Sequence, residues 1–160
     1  MQPTNDLIVF YSHDPSKYDT MTWRHCFSNF SPHPLQVNDK VYSTSEHYFQ
    51  SMKAKGTPRE DEIRNAATPM RAAEMGRDRT YPLPENWDVM KEQYMLEALR
   101  AKFTQNNYCS EALLCTGNVY LEERTKNDGY WASGSDVAGG KGKNRLGYLL
   151  MQVRDELRNK

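Results

Sequence analysis

The sequence predicts an α+β fold, predominantly helical, with a small antiparallel β element near the N-terminus. Three observations point there. Apolar residues recur at three- and four-residue steps in two long runs, 87–104 and 146–157. The pairs Thr57-Pro58 and Thr68-Pro69 have the form of helix starts. The stretch "LQVNDKVYS" alternates around Asn38-Asp39 as a hairpin does. At 160 residues the chain is expected to form one domain, 1–160, long enough to bury a core.

Taken in order, "LIVFYS" from Leu7 to Ser12 reads as a short strand, followed by a loop rich in aromatic and polar residues and then the hairpin. Ser43 and Glu46 have capping-box spacing ahead of "HYFQSMKAK", which is expected to end at Gly56. Thr57-Pro58 with Glu60 starts a second helix, and Thr68-Pro69 a third that stops at Gly76. The longest helix follows "PLPEN" over 87–104, with Met90, Tyr94, Met95, Ala98, Leu99 and Phe103 on its apolar face. A short helix over 111–115 ends near Gly117. In the last helix Leu146, Leu149, Leu150, Val153 and Leu157 form one stripe.

Basic and acidic residues balance at 21 each, so no global field draws the chain to nucleic acid or to a membrane. A nucleic-acid contact would have to be local, aimed at one base, sugar or end. The start "MQPTNDLIVFYSHD" lacks a basic region followed by an apolar core, and no apolar run has the length of a span. Cys26, Cys109 and Cys115 cannot all pair within one chain. Together these features predict a reducing, cytoplasmic setting with no membrane partner. The four histidines make no zinc-site pattern with the cysteines, so neither a metal nor another cofactor is expected.

The glycine-rich stretch "NDGYWASGSDVAGGKGKNRLG" could suggest a nucleotide loop. A Walker A motif fails, because Ser135 stands where the first glycine belongs and Gly142 where the hydroxyl is required. The dinucleotide fingerprint fails as well, which disfavours an NTPase or a Rossmann enzyme. What remains is general. Gly139, Gly140 and Gly142 allow close backbone approach, and Lys141, Lys143 and Arg145 bring positive charge. Asn144 is a candidate cap for the final helix, whose N-terminal amides favour an anion. A solvated surface loop explains the same residues equally well.

Other stretches can be read in two ways. Glu46, Phe49, Gln50 and Lys53 fall on one helical face, so a carboxylate, an amide and an amine could converge beside an aromatic ring. The ordinary reading makes Glu46 part of a cap and Lys53 a solvated lysine at a helix end. In "NDGYW", Asp128 could orient a ribose hydroxyl or act as a base and Trp131 could stack on a base. Alternatively, Asp128 forms an Asx-type turn and Trp131 packs in the core. Asn29, beside Phe30 in "FSNF", is either a polar reader in an aromatic slot or part of a tight turn. Arg77 and Arg79 offer phosphate contacts or surface ion pairs.

As a set, "FSNF", "TSEHYFQSMK", "MGRDR", "NW…KEQYMLEALRAKF", "NDGYW" and "GKGKNRLGYLLM" resemble the NADAR (YbiA-like) family over most of the chain. The resemblance implies a mainly helical single domain that hydrolyses N-glycosidic bonds. Some members act on ribosylamine intermediates of riboflavin synthesis, and others remove ADP-ribose from guanine bases. Carried over by position, it implies Glu46, Lys53 and Asp128 as catalytic groups. It implies Asn29, Phe30, Gln50, Arg77, Tyr130, Trp131, Gly140, Gly142, Lys143 and Asn144 as ligand contacts. One departure stands out: the loop between Trp131 and Gly142 is longer than in bacterial members, and Ala132 replaces a common glycine.

The expected activity is removal of ADP-ribose from ADP-ribosylated guanine in DNA, RNA or nucleotides, without a metal, by way of a Lys53 Schiff base or an oxocarbenium-like state. A functional pairing with an ADP-ribosyltransferase is an accompanying expectation for that activity. The rival substrate is a small ribosylated one, a ribosylamine 5′-phosphate of riboflavin synthesis. A non-catalytic ADP-ribose-binding module is the rival of another class, and an interaction protein ranks last.

Overall fold

The computed structural model describes residues 6–11 and 22–160, and the fold they form is α+β and mainly helical. The chain divides into two compact units, 29–106 and the described part of 1–28 together with 107–160. No helix among the described residues is long and apolar enough to cross a membrane.

Ahead of the unit 29–106 comes the strand β1 (Leu7–Phe10), and the unit itself begins with the antiparallel hairpin of β2 (Leu35–Val37) and β3 (Lys40–Tyr42). Asn38 and Asp39 both take positive φ, 51° and 67°, which is what a two-residue turn matched to strand twist requires. The register sets Leu35 opposite Tyr42, and both are buried. Helices α1 (Ser45–Met52), α2 (Pro58–Arg64), α3 (Pro69–Arg77) and α4 (Trp87–Gln105) follow. Helix α1 packs against the other three.

The cap of α1 differs from expectation by one residue. Thr44, not Ser43, is the N-cap: its Oγ1 accepts from the His47 amide at 3.1 Å and pairs with His47 Nδ1 at 2.8 Å. Glu46 is therefore not the reciprocal member of a capping box, because His47 occupies that position. The helix also ends at Met52, with Lys53 as its C-cap and a turn leading to Gly56 at φ 82°. Helix α3 keeps its expected cap, Thr68 Oγ1 accepting from the Arg71 amide, whereas Thr57 donates its hydroxyl to the Ala54 carbonyl instead.

In the other unit, β1 (Leu7–Phe10) pairs in parallel with β4 (Tyr120–Glu123), in a register running from Leu7–Tyr120 to Phe10–Glu123. The antiparallel β element is thus the hairpin alone. The expected end of the first strand, Ser12, lies outside the described residues. A 3-10 helix over Thr22–Phe27, α5 (Asn107–Cys115) and α6 (Arg145–Arg158) complete this unit. Gly147 lets α6 lie directly on β4, since a Cβ there would come within 2.2 Å of the Leu121 carbonyl oxygen. Arg154 braces the helix by donating to Thr116 Oγ1 and the Val119 carbonyl.

Asn144 stands at the N-cap of α6 in the left-handed region, φ 50°, but its side chain makes no capping bond. Its Nδ2 donates to the Leu121 carbonyl at 2.8 Å and to Tyr120 Oη at 3.1 Å, while Oδ1 accepts from the Glu123 amide at 3.1 Å. The carboxamide latches the helix start to β4. Asn144→Ala is expected to cost roughly 2–4 kcal/mol in a urea titration, at about 1–3 kcal/mol for each buried group left unpaired.

His47 supplies a pH test. Burial pushes its pKa below the ordinary 6.5, outweighing the bond to the Ala66 carbonyl. The unfolded chain therefore takes up the proton more readily than the fold does. Stability from this group is complete above about pH 6.5 and declines as pH falls from there toward the lowered folded value. Urea midpoints measured between pH 8 and pH 5 should fall, and the fall should shrink in His47→Gln.

Candidate functional site

Every residue of α1 is buried, although five of its eight are Ser, Glu, His or Gln. Buried polar groups require partners, so the side chains here are held in defined positions. Ser45 donates its hydroxyl to Asn29 Oδ1 at 2.8 Å, and the Glu46 amide donates to the Asn29 carbonyl at 3.0 Å. Asn29 Nδ2 in turn points to Met95 Sδ at 3.4 Å. Asn29 is therefore the brace for the first turn of α1, with its carbonyl and both side-chain polar atoms engaged within the fold.

One turn along, Gln50 Nε2 donates to Glu46 Oε1 at 2.7 Å. The two are 6% and 8% exposed, so carboxylate and amide form a nearly dry pair. The opposite end of the amide is unusual: Gln50 Oε1 is buried with no hydrogen-bond donor beside it. It occupies the space a side chain at position 76 would fill. A Cβ on Gly76 of α3 would lie 1.8 Å from Gln50 Oε1 and 2.7 Å from Cδ. Gly76 was expected only as the stop of α3; its absent side chain also seats the amide that holds Glu46.

Lys53 follows one turn further, half-buried, with Nζ 5.7 Å from the Phe49 ring centre and 5.8 Å from that of Trp87. Phe49 and Trp87 are themselves in contact, at 5.3 Å between ring centres, and Trp87 stacks on Tyr94. Trp87 is the site residue that the sequence reading missed. It marked the start of α4, and nothing local in sequence relates it to Lys53. A cleft of about 460 Å³ adjoins this lysine, bounded also by Ala54, Lys55, Arg59, Tyr81, Pro82 and Pro84. Arg77 is exposed at the last turn of α3, and Arg79 donates to the Gly76 carbonyl as a helix-end cap.

Phe30, half-buried next to Asn29, belongs to this unit as well, and the other predicted residues lie in the second unit. Asp128 Oδ1 accepts from the amides of Tyr130 and Trp131 at 2.9 and 2.8 Å, which is the Asx-type turn rather than a carboxylate held clear of the backbone. Tyr130 and Trp131 meet edge to face at 4.8 Å, and Lys143 Nζ lies 5.3 Å from the Tyr130 ring centre. Trp131 is only partly buried.

The glycine loop has a structural explanation that its sequence did not reveal. Backbone amides at 142–146 donate in turn to carbonyls of Ser133, Gly129, Ala132, Tyr130 and Trp131, at 2.8–3.1 Å. The first amides of α6 are thereby paired with protein carbonyls, not held open for an anion. Gly140 and Gly142 are required by this closeness: Cβ atoms there would come within 2.4 Å of the Ser133 and Ala132 carbonyl oxygens respectively. The amides at Gly142, Lys143 and Asn144 are thus not open to an anion. Those amides are already bonded, and the Asn144 side chain is held by β4.

Fold and site thus define a small, mainly helical α+β protein with a buried carboxylate–amide pair on one helix and a lysine at its C-cap. Residues 9–158 match the model of the NADAR domain, and the chain belongs to that family. It is 48% identical over 157 residues to N-glycosidase YbiA of Escherichia coli (strain K12), covering 98% of this chain and 91% of that protein. It is 42% identical over 139 residues to N-glycosidase Npun_R5314 of Nostoc punctiforme, covering 84% and 86%. A third relative, the chloroplastic riboflavin biosynthesis protein PYRR of Zea mays, is 35% identical over 157 residues, which cover 89% of this chain and 25% of that protein. The NMR structure of E. coli YbiA superposes with a TM-score of 0.82 at 46% identity, covering 97% and 86%.

The contact between Gly76 and Gln50 yields a prediction. Gly76→Ala should leave the fold intact, because the atoms it displaces are the end of a flexible side chain. It should lower kcat about as much as Gln50→Ala does. The double variant should be no worse than either single one, since both act through the same hold on Glu46. Thermal melts alongside steady-state kinetics test this.

Proposed function

We propose that this chain is an N-glycosidase that removes ADP-ribose from the exocyclic amine of ADP-ribosylated guanine. The observation that carries the reading is the arrangement on α1: a dry Glu46–Gln50 pair, with Lys53 a turn further on between two aromatic rings and a cleft. A carboxylate for proton transfer and an amine able to act as a nucleophile are what cleavage at an aminal-like carbon needs. Membership in a family whose curated relatives are named N-glycosidases supports the same class of reaction.

Ring opening of the modified ribose, with Glu46 protonating O4″ as the C1″–O4″ bond breaks, gives an iminium between C1″ and the guanine nitrogen. Neutral Lys53 Nζ adds to C1″ and gives a proton back to Glu46. The C1″–N bond to guanine then breaks, and guanine leaves as the amine after receiving that proton from Glu46. Water adds to the resulting C1″=Nζ Schiff base with Glu46 accepting its proton. Collapse then expels Lys53, and the sugar closes as free ADP-ribose. One water is consumed and no electrons are transferred. Supplying this substrate requires an ADP-ribosyltransferase that modifies guanine, and we propose such an enzyme as the functional partner.

A second reading is favoured by the maize relative, whose name places it in riboflavin biosynthesis. A ribosylamine 5′-phosphate presents the same kind of carbon with one phosphate and no adenosine.

The deciding experiment incubates the wild type, Lys53→Ala and Glu46→Gln with a guanine-ADP-ribosylated oligonucleotide. ADP-ribose should be released by the wild type and about 100-fold or more slowly by either variant. Borohydride should trap a sugar adduct at Lys53. Folded wild type that releases nothing from this substrate but cleaves a ribosylamine 5′-phosphate would transfer the assignment to the second reading. Binding without cleavage of either would mark a non-catalytic module.

A further inference from the structure

The cleft beside Lys53 has no role in the steps above, yet its walls specify a type of ligand. Its volume, about 460 Å³, falls within the range of roughly 300–1,000 Å³ usual for small-molecule sites. Most of the wall is apolar: Ala54, Pro58, Pro82, Pro84 and the ring of Tyr81. The Tyr81 ring is 47% exposed but braced, with the Arg59 guanidinium 4.2 Å from its centre. Arg59 is itself fixed by Glu62 at 3.0 Å and approached by Asp78 at 4.0 Å. A braced, accessible aromatic ring beside prolines suits a flat heterocycle, because little side-chain freedom is lost when one stacks there.

Charge narrows the choice further. The cleft is bordered by three cations and one carboxylate, Glu62, which pairs with Arg59. Lys53 is the reacting amine of the proposed mechanism. That leaves Lys55, exposed and with its Nζ 5.4 Å from the Tyr94 ring centre, to meet an anion. One cation matches one phosphate better than it matches a pyrophosphate. Of the groups bonded to the carbon that Lys53 attacks, the leaving base is the flat one.

We infer that this cleft is the leaving-group subsite and takes a purine nucleoside monophosphate unit, with its base on Tyr81 and its phosphate at Lys55. The inference rests on the N-glycosidase reading for its assignment to the leaving side. It implies that the guanine is recognised as a nucleotide, with its own sugar and phosphate, rather than as a free base.

Calorimetric titration of GMP, guanosine and ADP-ribose into the wild type, Tyr81→Ala, Tyr81→Phe and Lys55→Ala tests it without requiring turnover. Tyr81→Ala should weaken GMP roughly ten-fold or more and leave ADP-ribose within about two-fold. Tyr81→Phe should restore GMP binding, and Lys55→Ala should weaken GMP but not guanosine. The inference is overturned if wild type does not bind GMP at millimolar concentration, if Tyr81→Ala leaves GMP unchanged, or if ADP-ribose is the ligand that Tyr81→Ala weakens. Borohydride trapping at Lys53 keeps the two ideas apart: an adduct with no GMP binding sinks only the subsite, whereas Tyr81-dependent GMP binding with no adduct sinks only the Schiff-base chemistry.

Discussion

The constraint on which the unit 29–106 depends is the complete burial of α1. A helix enclosed on all sides is normally apolar on all sides, but this one carries Ser45, Glu46, His47, Gln50 and Ser51. Each must be matched by a neighbour, and the matches determine the surrounding structure. Asn29 is drawn to the first turn, Thr44 serves both the amide and the ring of His47, and the Ala66 carbonyl receives His47 Nε2. Tyr48 donates to Glu97 on α4, which ties the helix to the longest element of its unit. Gln50 Oε1 is the exception, lying against Gly76 without a donor. A buried acceptor left unpaired is a cost that packing alone does not explain, and it sits beside the carboxylate with the strongest claim to chemistry.

In the other unit, a run of backbone bonds does comparable work. Amides at 142–146 close onto carbonyls at 129–133, so the start of α6 is capped by another stretch of backbone rather than by a side chain. Two glycines are needed because that backbone comes too close for a Cβ, and a third, Gly147, because β4 lies directly against the helix. The Asp128 turn then sets the direction of Tyr130 and Trp131. The glycine-rich character that resembles a phosphate loop is thus a consequence of close packing, and Lys143 is held over the Tyr130 ring rather than among open amides.

How much of this could be read in the sequence depended on how local each cause was. The hairpin needed only two adjacent residues able to take positive φ, and α4 and α6 needed only their apolar spacing, so all three were legible. The strand Tyr120–Glu123 was not, because four residues ending in two glutamates become a strand only by pairing in parallel with a segment over a hundred positions away. The cap of α1 was misplaced by one residue because Ser43 and Thr44 both suit the position. The choice was made by His47, whose ring adds a second bond to Thr44. In the site, Glu46, Gln50 and Lys53 could be grouped by helical spacing, whereas Trp87 and Gly76 could not. Their relation to that face exists only once α3 and α4 have packed on α1.

That difference also separates what this fold can vary from what it cannot. Glu46 and Gln50 are buried and bonded to each other, so changing either takes a partner from the other, and α1 is bound by the rules of a buried polar core. The cleft wall is under no such rule. Tyr81 is largely exposed, Lys55 is exposed, and the prolines at 82 and 84 belong to a connecting segment between α3 and α4. Substitutions there touch the Arg59–Tyr81 and Lys55–Tyr94 contacts but not the Glu46–Gln50 hydrogen bond. On the proposed mechanism, α1 would break the bond while the cleft wall met what lies beyond it. Selectivity would then reside in the connecting segment between α3 and α4, and chemistry in α1.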